Sequence, residues 1–171
     1  MRLLEHVIAI DPGTVSSGVC IARTEDCKPL FVTKVDNKSL VHVVREYMSP
    51  RMIAPHGCQL VIERMQGNSM PVSSDVFLTC EWIGRFDVIF NRILDNPTNY
   101  VFRRDEYRTL CGNIYSRNDK GIKQALVERF AYGQSNYGKG TAKSPGWFYG
   151  FANDMWSAYA IAVTFMDMCK E

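Results

Sequence analysis

The sequence predicts an α/β fold, one mixed sheet with helices against it, and three observations lead there. Residues 7–10 and 60–62 are short apolar runs bounded by polar or turn residues, the pattern of buried strands. Two more β-type runs follow the first at hairpin spacing, so the opening three strands form an antiparallel meander. A segment of helical period then precedes 60–62, so that strand arrives by a crossover and lies parallel to the first.

The elements follow in order. Val7 to Ile10 run into Asp11, and Pro12-Gly13 turns the chain into a second strand from about Ser17 to Thr24. Glu25 to Pro29 turn it again, and Leu30 to Val35 form the third strand. Ser39 is placed to cap a helix whose apolar positions are Leu40, Val43, Val44, Tyr47 and Met48, with Pro50 and Pro55 ending it. Gln59 to Glu63 form the fourth strand, and a polar loop with Gly67 and Pro71 follows. A long helix is expected from Ser74 to Leu94 along Val76, Cys80, Ile83, Asp87, Phe90 and Leu94, with Phe77, Phe86 and Ile93 alongside. So wide an apolar arc is expected to be buried or to pair with a second copy. Asn99 to Arg103 read as a short strand, and Asp105 to Leu110 as a short helix stopped by Gly112. Asn118 caps a helix with the stripe Ile122, Ala125, Leu126 and Phe130. Residues 133–147, with four glycines, two lysines and two aromatics, read as a flexible loop, and a last helix spans about Ala152 to Met168.

The bulk properties narrow the function. The chain has 171 residues, 46% hydrophobic and 22% charged, which fits one soluble domain. No apolar run approaches a membrane span, and the opening Met1 to His6 lacks the pattern of a signal peptide, so a cytoplasmic location is expected. The six cysteines have no C-x-x-C spacing and are expected to be free buried thiols. The three histidines form no ligand cluster, and His42 reads as structural. Net charge is +2, but residues 97–147 carry nine Lys or Arg against four acids. Such a basic stretch suits a polyanion. Arg117, Lys120 and Lys123 lie near a helix N-terminus that also favours phosphate, and Lys139 and Lys143 alternate with aromatics as in nucleic-acid contacts.

Asp11 alone reads equally as a turn cap or a ligand. Glu63 ends its strand as Asp11 ends its own, and Asp154 opens the last helix. Sites on open α/β sheets form beyond the carboxyl ends of strands. Three acids converging there repel one another, and a divalent cation relieves that repulsion while keeping positions for water and phosphate.

Five segments in order carry a resemblance. They are Ile8-Ala9-Ile10-Asp11-Pro12-Gly13-Thr14 with Gly18, and Leu60-Val61-Ile62-Glu63. The long helix with Gly84 follows, then Tyr107-Arg108-Thr109-Leu110-Cys111-Gly112 with Lys120, and finally Asp154-Met155-Trp156-Ser157-Ala158-Tyr159-Ala160-Ile161-Ala162. Together they resemble the RuvC-type Holliday junction resolvases of the RNase H-like superfamily, in a small form like those of phages or prophages. The resemblance implies an RNase H-like α/β fold over residues 1–171, a single nuclease domain. Its five-stranded mixed sheet has the first three strands antiparallel and is flanked by helices. It implies a homodimer that nicks four-way or other branched DNA in pairs with Mg²⁺ or Mn²⁺, two ions per site, leaving 5′-phosphate and 3′-hydroxyl ends. Asp11 would bridge the ions, with Glu63 and Asp154 as further ligands. Arg108, Lys120 and Lys123 would contact phosphates, and the loops after Glu63 and at 133–147 would approach the junction. The family usually carries an acid where this chain has Ser157, so Asp154 holds the ligand role alone there, with Asn153 and Ser157 placed to hold a water.

Three other readings compete. A branched-DNA-binding protein of this fold with impaired catalysis is favoured by Ser157. A nuclease of this fold could act instead on flaps or RNA–DNA hybrids. A sugar-kinase or actin-like ATPase shares the core, but it needs two such domains, and 171 residues hold one.

Overall fold

The structure, a computed structural model, describes residues 4–51, 53–66 and 73–170. Gly67 and Pro71 of the polar loop lie outside the described residues. The five strands are β1 (His6–Asp11), β2 (Ser16–Arg23), β3 (Pro29–Asp36), β4 (Cys58–Glu63) and β5 (Asn99–Val101). They lie in the order β3-β2-β1-β4-β5. The β3-β2-β1 part is antiparallel, and β4 and β5 are parallel to β1, as expected. The helices are α1 (Leu40–Met48), α2 (Ser74–Leu94), α3 (Arg103–Glu106), α4 (Asp119–Ala131) and α5 (Asp154–Met168).

Period-two alternation divides the strand residues between two cores. Ile8, Ile10, Val19, Ile21, Leu60 and Ile62 pack under α1 and α2. Val7, Ala9, Cys20, Ala22 and Val61 are smaller and pack under α5, together with Ile122 and Leu126 of α4. Helix α5 is buried along its length, from Trp156 to Met166, because the small residues beneath it let it sit close to the sheet. Among the described residues no helix is long and apolar enough to cross a membrane.

Several details differ from the sequence expectations. Ser39 stands at the N-cap of α1 but already has helical backbone angles, so its hydroxyl makes no capping bond. Asn118 does cap α4, accepting from Gly121 N at 2.9 Å. On α2 the buried face is Thr79, Ile83, Phe86, Phe90 and Leu94, while Phe77, Leu78, Val88 and Ile89 are exposed. Only one side of this helix meets the sheet, so Cys80 is exposed, and Cys169 is half-buried. Both depart from the expectation of buried thiols. The short helix after β5 is split: α3 ends at Glu106 and a π-type turn continues from Tyr107 to Cys111. His42 is exposed and pairs with Glu46. Residues 133–147 are folded rather than loose. A tight turn at Asn136–Gly138 leads to a bridge between Gly140 and Pro145, and Trp147 stacks on Phe130 with ring centroids 5.1 Å apart.

Candidate active site

The carboxyl end of β1 is shaped by buried polar groups. Gly13 N donates to Ser17 Oγ (3.2 Å), Ser17 Oγ donates to Asn37 Oδ1 (2.6 Å), and Asn37 Nδ2 donates to the Gly13 carbonyl (2.8 Å). Ser17 and Asn37 are both buried. This triangle fixes the turn that presents Asp11. Asn37→Ala strips a partner from the buried Ser17 hydroxyl and from the part-buried Gly13 carbonyl, so stability is expected to fall by about 2 kcal/mol in urea unfolding.

Strand register places the site. Asp11 pairs with Gly18, and Gly18 pairs with Lys34. On the other side Ile10 pairs with Ile62, which sets Glu63 beside Asp11, and Glu63 pairs with Val101. A transverse row Lys34–Gly18–Asp11–Glu63–Val101 therefore crosses all five strands on the face covered by α5. Alternation puts Asp11 and Glu63 on that face, in step with Val7, Ala9 and Val61. Gly18 is the gap in the row. A Cβ there would lie 2.5 Å from the Asp154 carbonyl oxygen and 3.3 Å from Asp154 Cβ, so the missing side chain is what lets the start of α5 settle against β2. Asn153, with φ of 39°, turns the chain into that position.

The electrostatics show the convergence of the three acids. Asp11 is pushed up to about 7, first by burial, then by the charges of Glu63 and Asp154 and by a hydrogen bond with Glu63, against a smaller pull from Arg103. Glu63 is also raised, by burial, while Arg103 and its bond with Asp11 oppose the shift. Burial and the facing charges thus favour the protonated form of both carboxyls. Asp154 is engaged differently: Lys34 Nζ donates to its Oδ2 at 2.6 Å. Among the described residues no three His, Cys, Asp or Glu side chains meet as a ready-made metal centre. The acids share one edge of the sheet, where Lys34 engages Asp154.

Arg103 and Glu106, just past the end of β5, were not singled out in the sequence. Glu106 is fully buried, and its Oε2 accepts from Arg103 Nη1 at 2.9 Å, while its Oε1 has no hydrogen-bond partner. Burial, followed by the charge of Glu63, pushes Glu106 up to about 8. An Arg-Arg-Asp-Glu run gives no sign that both of its acids are buried. Lys34 was legible in principle, because period-two alternation on β3 carries it to the face of Gly18.

Acids raised on folding destabilise the protein as they ionise. Below the ordinary carboxylate range their contribution is fully present, and it is lost as pH rises through about 7 for Asp11 and about 8 for Glu106. In EDTA the melting temperature is therefore expected to fall between pH 5 and pH 8.5. Asp11→Asn should flatten that slope, and a wild-type melting temperature that rises across this range would contradict the assignment.

A cavity of about 650 Å³ opens at Asp154 and is also lined by Arg103, Asp119, Lys120, Lys123, Lys139, Asn153 and Ser157, while Asp11 and Glu63 are not part of its lining. Lys123 Nζ lies 3.7 Å from the Tyr137 ring centroid and 4.9 Å from that of Trp156, so the 133–147 segment does bring an aromatic to the basic face. Arg108 is exposed and turned toward Asp105 at 3.5 Å, and Arg103, not Arg108, lines the cavity. Arg117 and Lys143 are exposed and do not line the cavity.

Comparison with known proteins supports the fold. T. thermophilus RuvC, solved in complex with a Holliday junction substrate, superposes with a TM-score of 0.67 at 11% identity, over 99% of this chain and 96% of that one. A further Thermus thermophilus RuvC structure gives 0.65 at 13% identity, over 96% and 95%. No family model and no curated protein matches the chain. The five-stranded sheet, with its first three strands antiparallel and its flanking helices, is a RuvC-type fold.

Proposed function

We propose that the chain, on this RuvC-type fold, is a divalent-metal-dependent endonuclease that cuts four-way or related branched DNA by paired nicks. The observation that carries the reading is the delivery of Asp11, Glu63 and Asp154 by β1, β4 and α5 to one sheet edge beside a lysine-rich cavity. The donor set fits a hard cation: all the donors are carboxylate oxygens, and burial followed by the charges of Glu63 and Asp154 already raises Asp11. Asp11, Glu63 and Asp154 would hold Mg²⁺ or Mn²⁺, two ions per site, whose Lewis acidity activates water against the phosphodiester and leaves 5′-phosphate and 3′-hydroxyl ends. To hold the ions, Asp11 and Glu63 would have to be ionised and Asp154 would have to leave Lys34. Lys120, Lys123 and Lys139 hold the DNA backbone along the cavity, with Arg108, Arg117 and Lys143 as outlying phosphate contacts. Asn153 and Ser157 flank Asp154 and orient water by hydrogen bonding.

A homodimer formed through the exposed Phe77, Leu78, Val88 and Ile89 of α2 would present two such sites to one junction. The protein would act in the cytoplasm, that of the host if it is phage-encoded. A second reading, branched-DNA binding with weak catalysis, draws on Ser157 and on the hold of Lys34 on Asp154. Rates on labelled four-way junction, flap, RNA–DNA hybrid and linear duplex with Mg²⁺ or Mn²⁺ test both readings. Fastest cutting of the junction is expected. Tight junction binding without cutting would favour the second reading, and faster cutting of hybrid or flap would reassign the substrate.

A further inference from the structure

Arg103 carries two acidic partners of opposite character. Glu106 is fully buried and sits on α3, directly beyond the strand that pairs with Glu63. Asp119, the other partner, has an 83% exposed side chain and opens α4 on the rim of the basic cavity. A carboxylate on a guanidinium makes the same charge-assisted bonds as a phosphate oxygen. A buried partner is costly to displace, whereas an exposed one contributes little and gives way to a stronger anion.

We propose that Asp119 occupies, in the DNA-free protein, the position on Arg103 that a backbone phosphate of the nucleic acid takes on binding, with Glu106 as the fixed anchor of the guanidinium. The proposal rests on the DNA-binding reading above and adds to it one phosphate subsite and an internal competitor. When the phosphate arrives, Asp119 swings into solvent, which its exposure permits. The unpartnered Oε1 of Glu106 then has a use: a guanidinium freed from Asp119 can close on both Glu106 oxygens while its outer edge meets the phosphate.

The consequence is a gain of binding on removing a charge. Asp119→Asn keeps the shape, and Asn118 remains to cap α4. Binding of a labelled four-way junction to the full chain in EDTA is expected to tighten roughly fivefold at about 50 mM salt. Asp26→Asn makes the same charge change on an exposed ion pair with Arg23, in the turn at the far end of the sheet, and is expected to leave the affinity near wild type. In an Arg103→Ala background, Asp119→Asn should give no gain, because the shared partner is gone. Equal tightening by both neutralised acids, a gain that survives Arg103→Ala, or no gain at all would overturn the proposal. Wild-type protein that fails to bind the junction would instead sink the DNA-binding reading itself.

Discussion

Asp11→Asn and Glu63→Gln are each expected to reduce junction cleavage by at least on the order of 10³-fold, because a carboxylate ligand contributes several kcal/mol of transition-state stabilisation through the cation it holds. Junction binding should persist, since the cavity lysines are untouched. The same substitutions should raise the melting temperature of the metal-free protein, because each removes a half-buried carboxylate that faces another. This combination identifies a functional acid pair: a structural pair would lose stability with either change. Single-turnover cleavage and thermal melts in EDTA provide the two measurements. Robust cutting by either variant would remove the pair from the chemistry.

The second large effect belongs to a residue with no side chain. Gly18→Ala drives a methyl group into the backbone of Asp154, whose carbonyl oxygen lies 2.5 Å from the new atom. Backbone at the start of a buried helix cannot step aside without moving the whole first turn. Overpacking of this kind is expected to cost about 2 kcal/mol of stability. The larger loss is catalytic, because the shift falls on Asp154: a displacement near 1 Å at a reacting group can cost about 10²-fold. Urea unfolding together with the cleavage rate checks both parts. A variant with normal cleavage would show that the approach of α5 to β2 does not set the site.

Much of this was legible in the chain. Short apolar runs bounded by polar or turn residues marked the strands, and an acid at the end of each of two runs pointed to Asp11 and Glu63. The helical periods of α1, α4 and α5 were equally plain. What was hidden depends on which face meets which. Helix α2 is apolar nearly all round, so its sequence does not say that Phe77 and Cys80 face out while Thr79 faces in. Ser17 and Asn37 look like ordinary turn residues, and only the fold shows them closing a buried triangle. That Arg103 rather than Arg108 lines the cavity is not encoded by any periodicity in so short a helix. The 133–147 segment reads as loose by composition, yet one stacked ring pair and one bridge give it a fixed course.

The transverse row also separates activity from folding. Asp11 and Glu63 ride on interior strands, Lys34 on an edge strand and Asp154 on the first turn of a helix. Helix ends and sheet edges open at lower free energy than central strands. On the proposed reading, a brief fraying of the α5 start would take Asp154 away while the sheet stays intact, and reclosure would restore it without refolding. The lifetime of the assembled site would then follow one helical turn rather than the stability of the whole domain.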